Sequence, residues 1–171
     1  MGFVQSIKVC LSKYVVFSGR ATRSEYWWFV LFVILCNIIF SILDGAIFGI
    51  NPETGEGTGI FNPLFQFAIF LPMLAAGWRR LHDSGRPGWY LLLPMALGFA
   101  TMIALLSGVA VFTVLEGGVD DPEVLRGPAA FLGATGMMVV WALQLVLTVM
   151  MIWWLTRPSQ DGDNAYGPPA A

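Results

Sequence analysis

Long apolar stretches divide this chain, and charged residues are concentrated in the segments between them. A helix needs about 20 consecutive apolar residues to cross the roughly 30 Å hydrocarbon core of a bilayer. Four stretches meet that requirement, so the sequence predicts four transmembrane helices. The predicted spans cover residues 26–43, 60–78, 89–115 and 129–155.

The composition favours the same class of protein. Of the 171 residues, 57% are hydrophobic and only 12% are charged, whereas soluble domains carry about 25% charged residues. A soluble protein of this size could not bury so much apolar surface. We therefore expect an all-α integral membrane protein, a four-transmembrane-helix bundle. A net charge of -2 argues against nucleic acid as a partner.

Two flanking segments complete a predicted single membrane domain, residues 1–171. Residues 3–17 place apolar side chains at helical spacing with the lysines largely on the other side, which is typical of an N-terminal amphipathic interfacial helix. A helix docked on the neighbouring spans would have the same pattern. Residues 156–171 are polar and rich in Gly and Pro, and we expect them to form a cytoplasmic tail.

The distribution of Lys and Arg predicts the orientation. Eight of the nine basic residues lie before the first span, between the second and third spans, or after the fourth. Cytoplasmic segments of membrane proteins carry an excess of Lys and Arg, which is the positive-inside rule. We therefore expect a multi-pass protein with both termini and the connector Gly77–Trp89 in the cytoplasm.

Three polar segments then meet at the cytoplasmic face: residues 19–25, 79–89 and 162–167. Their arginines suit phosphate and carboxylate groups, so anionic lipid headgroups or an anionic metabolite are the expected ligands. The predicted binding residues are Arg20, Arg23, Arg79, Arg80 and Arg86. The alternative is that these arginines set the topology and pair inside the protein. The pairs expected in that case join Arg79 to Asp83, and other arginines to Glu25, Asp161 or Asp163.

The same segments carry a family motif. Its residues are Phe17, Gly19, Arg20, Arg23, Glu25, Tyr26 and Trp27, then Arg79, Arg80, Leu81, His82, Asp83, Gly85, Gly88 and Trp89, and finally Gly162, Asn164, Tyr166 and Gly167. With them the chain resembles the small bacterial inner-membrane proteins catalogued as domain of unknown function 805. The resemblance implies four helices and a bacterial inner membrane, and it implies no established activity. Pro87 departs from the small polar residue expected there.

Two other functions are open. A small transporter or channel would use polar side chains within the bundle, namely Asn37, Asp44, Gln66 and Gln144. A membrane enzyme would act on a lipid headgroup through His82, Asp83 and Glu25. However, His82 and Asp83 do not face each other on a helix, and no motif marks a Ser or Cys nucleophile. We expect Glu25 to form a capping box with Thr22, and His82 to bond a tail carbonyl.

The favoured prediction is a non-enzymatic inner-membrane protein. No catalytic residue or cofactor is expected, and a single histidine without a suitable cysteine pair argues against a metal site. The expected partners are anionic membrane lipids. A homo-oligomer or a partner membrane protein is left open.

Overall fold

The computed structural model describes residues 1–49, 59–116 and 123–170, with the side chains of 109–110, 113–116 and 123–132 left out. The elements in these ranges are helices. They are α1 (Phe3–Ser12), α2 (Arg23–Phe48), α3 (Phe61–Asp83), a 3-10 helix (Gly88–Leu92), α4 (Leu93–Glu116) and α5 (Glu123–Thr156). The all-α fold class is therefore confirmed over the described part of the chain.

Four helical stretches in the described residues are long and apolar enough to cross a membrane. They are Arg23–Phe48, Phe61–Asp83, Gly88–Gly108 and Gly133–Thr156. Many of their large apolar side chains are exposed, as with Phe67 at 83%. Lipid accommodates such side chains, whereas exposure to water is unfavourable. These stretches, together with the short apolar helix α1, confirm the predicted class of membrane protein.

The helices belong to two compact units. One comprises Met1–Tyr90 and Trp154–Ala171, and the other comprises Leu91–Trp153. In the first unit α2 packs along α3, and α1 packs against both. The second unit holds α4 and most of α5, which together line an apolar cavity of about 400 Å³. The arginines of the predicted site lie in the first unit.

Hydrogen bonds join α2 to α3 at two levels. Asp44, near the end of α2, accepts hydrogen bonds from the N–H groups of Phe61 at 2.9 Å and Asn62 at 2.7 Å. Those amides at the start of α3 have no partners inside the helix, and a negative charge suits the positive end of the helix dipole. Further along, Gln66 Nε2 donates to Asn37 Oδ1 at 2.5 Å. The two helices are therefore held by polar contacts as well as by apolar packing.

Helix α3 extends beyond its predicted span, residues 60–78. It continues to Asp83, so the first part of the predicted connector is helical. The predicted span ends before Arg79 because charged side chains are energetically costly in lipid. Here the charged side chains are buried against protein, and the main-chain hydrogen bonds of the helix continue past them. At the other end of the chain, α1 stops at Ser12, before the predicted limit at residue 17.

Candidate functional site

Three arginines are buried at the C-terminal end of α3. Arg79 is 1% exposed and Arg80 0%, and Arg20, from the segment before α2, is 4% exposed. Their acidic partners are Glu25 in the first turn of α2 and Asp83 in the last turn of α3, which are also buried. We call these five residues the arginine cluster.

Each arginine of the cluster makes an ion pair. Arg20 Nε lies 2.9 Å from Asp83 Oδ1, and Arg79 Nη2 lies 3.2 Å from Glu25 Oε1. Arg80 also pairs with Asp83. The predicted pair of Arg79 with Asp83 is therefore replaced by Arg79 with Glu25, because the fold brings α2 against α3 at this point. Asp83 is occupied by the other two guanidinium groups.

Most of the remaining donors of these arginines bind main-chain carbonyls, chiefly in the segment after α1, at the end of α5 and in the tail. The acceptors include Val16 O at 2.7 Å for Arg79, Leu155 O at 2.9 Å for Arg80 and Gly162 O at 2.7 Å for Arg20. Carbonyls in the last turn of a helix lack partners inside it, so Arg80 satisfies one at the end of α5. The cluster thus ties the segment after α1, the end of α5 and the tail to the end of α3.

Burial makes the cluster important for stability. A charge held away from water needs a partner, and removing one partner of a buried ion pair costs about 3–5 kcal/mol. The hydrogen bonding of the Arg79 guanidinium group is incomplete, because its buried Nε has no hydrogen-bond partner among the described residues. These guanidinium groups are engaged inside the protein, which matches the internal-pairing alternative more closely than an open binding face.

The tail closes over His82. The His82 Nδ1 lies 3.1 Å from the carbonyl oxygen of Gly19, so Nδ1 carries a proton and donates it. The imidazole stacks on the ring of Tyr166, with centroids 3.8 Å apart and planes within 4°. Asn164 Nδ2 donates to the His82 carbonyl at 2.9 Å. His82 therefore bonds the Gly19 carbonyl instead of the predicted tail carbonyl, and the tail supplies a ring and an amide.

The turn after α3 depends on a glycine. Gly85 has φ +73°, and a Cβ at this position would lie 2.2 Å from Gln160 Nε2. Side chains other than glycine are disfavoured in that left-handed region, and a Cβ would also displace the end of the Gln160 side chain. The Gln160 N–H donates to the Asp83 carbonyl at 2.9 Å. The tail therefore lies directly on the turn after α3.

Glu25 links the cluster to α1. The Thr22 hydroxyl accepts a hydrogen bond from the Glu25 N–H at 3.1 Å, which is one half of the predicted capping box. The Glu25 carboxylate does not complete the box. It accepts instead from Arg79 and from the Cys10 thiol, whose Sγ lies 3.8 Å away. Burial, with a smaller contribution from the Glu25 charge, raises the pKa of the Cys10 thiol to about 12.

The other two predicted arginines lie outside the cluster. Arg23 is exposed, and Arg86 is half-buried with its guanidinium carbon 5.4 Å from the centroid of the Trp154 ring. The sequence analysis missed Arg157, which it counted only toward the orientation. The signal was its position three residues after a pair of tryptophans at the end of a span. Arg86 and Arg157 line one cavity of about 300 Å³, together with Ser84, Pro158 and Gln160.

Aromatic pairs and a tight turn hold the remaining motif residues. Trp27 lies against Tyr26, with ring centroids 5.3 Å apart, and the exposed Trp89 lies against Tyr90 at 4.6 Å. In the tail, the main chains of Asn164 and Gly167 exchange hydrogen bonds of 3.0 and 3.2 Å. This turn presents the Asn164 amide and the intervening tyrosine ring to the end of α3.

The polar residues proposed for a transport path lie in both units. Asn37 bonds Gln66, and Asp44 caps α3, so these three belong to the contact between α2 and α3. Gln144 lies on α5 in the other unit, where its Oε1 is buried without a hydrogen-bond partner among the described residues. Within the described part of the chain, no three His, Cys, Asp or Glu side chains lie close enough together to hold a metal ion.

Comparison with known proteins decides the family. The profile of the family described as "Protein of unknown function (DUF805)" matches residues 14–168. This chain belongs to that family. The matched range contains the whole arginine cluster and the tail residues that contact it. In the structure of this DUF805 protein, many of the motif residues therefore contact one another in and around that cluster.

Relatives are found among inner membrane proteins. Inner membrane protein YhaH of Escherichia coli (strain K12) is 39% identical over 83 residues, which are 48% of this chain and 66% of the relative. Inner membrane protein YhaI of the same organism is 40% identical over 83 residues, 48% of this chain and 64% of the relative. The matches thus span just under two thirds of the length of these relatives. No solved structure matches the chain significantly.

Proposed function

We propose that this DUF805 protein is a non-enzymatic, multi-pass protein of the bacterial inner membrane whose cytoplasmic face binds anionic lipid headgroups. In this proposal both termini and the end of α3 are cytoplasmic. The concentration of eight of nine basic residues in three segments supports that orientation. The hydrogen bonds of the arginine cluster support it further, because they join the same three segments to one another.

The exposed surface of α1 carries the proposal. Ser6 and Cys10 are buried against the rest of the unit, whereas Val4 is 61% exposed and Leu11 41%. Val4 and Leu11 are seven residues apart, so they lie on one face of the helix, and the exposed Lys8 lies between them in sequence one turn after Val4. An apolar edge bordered by a lysine is unfavourable in water. It is well suited to the boundary between headgroups and acyl chains.

The lipid contact is therefore assigned to basic side chains outside the buried cluster. Lys8, Lys13 and Arg23 are exposed, while Arg20, Arg79 and Arg80 hold the fold together. This assignment narrows the five arginines predicted from the sequence to those that reach the surface. It also adds the two lysines of the N-terminal segment.

Lipid enrichment tests the proposal. The full chain is extracted with its native lipids in polymer-bounded discs, and the bound lipids are identified by mass spectrometry. We expect phosphatidylglycerol and cardiolipin to be enriched over the whole membrane. In a Lys8→Gln, Lys13→Gln, Arg23→Gln variant, binding should fall by about fivefold for each charge removed, since each basic residue contributes about 1 kcal/mol at an anionic surface.

The matched control is a Lys8→Arg, Lys13→Arg variant, which keeps the charge and should keep the enrichment. Equal anionic-lipid content in the wild type and the triple Gln variant would refute the proposal. The transporter and headgroup-enzyme hypotheses have less support. Asn37, Gln66 and Asp44 have partners between α2 and α3, and Glu25 and His82 have partners in the fold.

A further inference from the structure

We infer that the segment after α1 is a splint across a break in the main-chain hydrogen bonds of α3. The segment is residues 13–16, which we call the splint, and the break is at Pro72, a buried proline inside the helix. The splint is bonded to α3 at Ala68, before the proline, and at Arg79, after it. While the splint is docked, the two halves of α3 are held together, and its release leaves the helix free to bend at Pro72.

Pro72 removes one hydrogen bond from the middle of α3. It lies midway between Phe61 and Asp83, the two ends of the helix. Proline has no N–H, so the carbonyl four residues earlier, that of Ala68, loses its donor within the helix, and the proline ring also crowds that carbonyl. A proline inside a helix is a usual cause of a sharp bend. The point at which α3 bends most easily is therefore fixed by Pro72.

The Ala68 carbonyl needs a donor from outside the helix. Ala68 is exposed, and so is its neighbour Phe67, so this turn of a membrane-spanning helix faces lipid. Lipid tails offer no hydrogen bonds, and a main-chain carbonyl left unsatisfied among them is strongly unfavourable. The Tyr14 hydroxyl donates a hydrogen bond to this carbonyl. The splint thereby replaces the bond that Pro72 removes.

Arg79 holds the splint on the other side of the proline. Its Nη1 donates to the carbonyls of Lys13 at 3.2 Å and Val16 at 2.7 Å. Helical side chains point back toward the helix N-terminus, so this guanidinium group reaches from the last turns of α3 toward Pro72. The Val16 N–H also donates to the Lys13 carbonyl at 3.2 Å, which closes the splint into a turn. One turn of chain is thus bonded to both halves of α3.

The splint is held by hydrogen bonds more than by burial. All of its side chains are exposed, including Tyr14 at 38% and Val15 at 60%. Segments with few buried apolar contacts and exposed hydrogen bonds open locally at low free energy. A tyrosine ring is also well accommodated at the boundary between headgroups and hydrocarbon, so Tyr14 has an alternative environment when it leaves Ala68. The splint is therefore released more easily than the helices that it contacts.

The position of α1 controls the splint because the two are continuous in the chain. The Lys13 N–H donates to the Val9 carbonyl at 3.0 Å, at the end of α1. Earlier in α1, the buried Cys10 contacts the Glu25 carboxylate of α2, and Arg79 pairs with the same carboxylate. A displacement of α1 along α2 therefore pulls on the splint and reaches the bend in α3. This coupling does not depend on the proposed lipid contact of α1.

Hydrogen exchange of the full chain in lipid discs, read by mass spectrometry of its peptides, tests the splint. It reports local opening on the scale of minutes to hours. Tyr14→Phe removes the hydroxyl and keeps the ring. We expect exchange to rise by about tenfold at residues 13–16 and at residues 69–76, because an acceptor left unsatisfied away from water destabilises the closed state. Pro72→Ala restores the missing N–H, so in that background Tyr14→Phe should change exchange at residues 69–76 by less than about twofold.

The dependence on Pro72 separates the splint from ordinary packing of an aromatic ring. Equal acceleration by Tyr14→Phe in both backgrounds would overturn the inference, as would no acceleration in the wild-type background. The matched control is Tyr166→Phe, which removes a hydroxyl from the tail of the same unit and should leave exchange at residues 69–76 unchanged. If Pro72→Ala does not fold, this control decides alone, and equal exchange in the two Phe variants would overturn the splint.

Discussion

Replacing Asp83 by Asn removes the carboxylate at the centre of the arginine cluster. Asp83 Oδ1 accepts from Arg20 Nε at 2.9 Å, and Oδ2 accepts from Arg80 and from the Ser159 hydroxyl. Asparagine has almost the same shape, so the change isolates charge and hydrogen bonding from packing. Its Oδ1 can still accept from Arg20. Its NH₂ group, however, would face the donors of Arg80 and Ser159 and could accept from neither.

The expected loss is about 3–5 kcal/mol of unfolding free energy, the usual cost of removing one partner from a buried charge pair. Both arginines would remain buried, with Arg80 0% and Arg20 4% exposed. The two losses are not added, because residues in one network do not contribute independently. Since Arg20 and Arg80 also hold the tail and the end of α5, the tail should detach along with the lost stability.

Unfolding of the purified protein in mixed micelles, followed by circular dichroism as the fraction of SDS rises, measures this loss. Proteolysis in native conditions measures the release of the tail. The matched control is Asp161→Asn, which makes the same chemical change on an exposed tail residue and should shift stability by less than about 0.5 kcal/mol. Equal stability and equal tail protection in the two variants would refute the reasoning that the cluster holds the tail.

Two smaller predictions concern single positions. Gly85→Ala should destabilise the protein by about 1–2 kcal/mol, the usual cost of an L side chain in the left-handed region, because the end of the Gln160 side chain that a Cβ would meet is flexible and can move aside. The control is Gly162→Ala, which has a similar φ and no atom within 4 Å of an added Cβ and should show the same loss; a loss at Gly85 several times larger in SDS unfolding would contradict a purely conformational cost. Cys10 should resist iodoacetamide at pH 8 in the folded protein, because a pKa of about 12 leaves it protonated, and should react after unfolding; a Cys36→Ser background isolates its signal in mass spectrometry. Since the folded pKa is raised, the Cys10 contribution to stability should fall as pH rises above about 9, the ordinary value.

The buried state of the three cluster arginines changes how the motif is understood. From the sequence, a set of arginines at a membrane boundary suggests a binding face. In the structure, Arg20, Arg79 and Arg80 bind carboxylates and carbonyls of the protein itself. The motif in this DUF805 protein therefore has a structural role in joining the segment before α2, the end of α3 and the tail.

The membrane class, the four spans and the short N-terminal helix could be predicted from the sequence. Span length and apolar composition are properties of consecutive residues, and the bilayer thickness sets one length for them. The local sequence pattern at the start of α2 predicted only part of the hydrogen bonding found there. Thr22 caps α2 as its sequence context predicts, but the matching bond from Glu25 is absent, because Arg79 attracts that carboxylate from another helix.

The sequence alone determined that charge would lie at the ends of the helices, since lipid excludes it from the spans. Only the tertiary structure decided which charges would be buried and which carboxylate each arginine would meet. Arg79 and Glu25 are 54 residues apart, and Arg20 and Asp83 are 63 residues apart. Partners at such separations depend on how α1, α2, α3 and the tail pack, and the energy of an ion pair depends on distance and burial in space rather than on spacing along the chain.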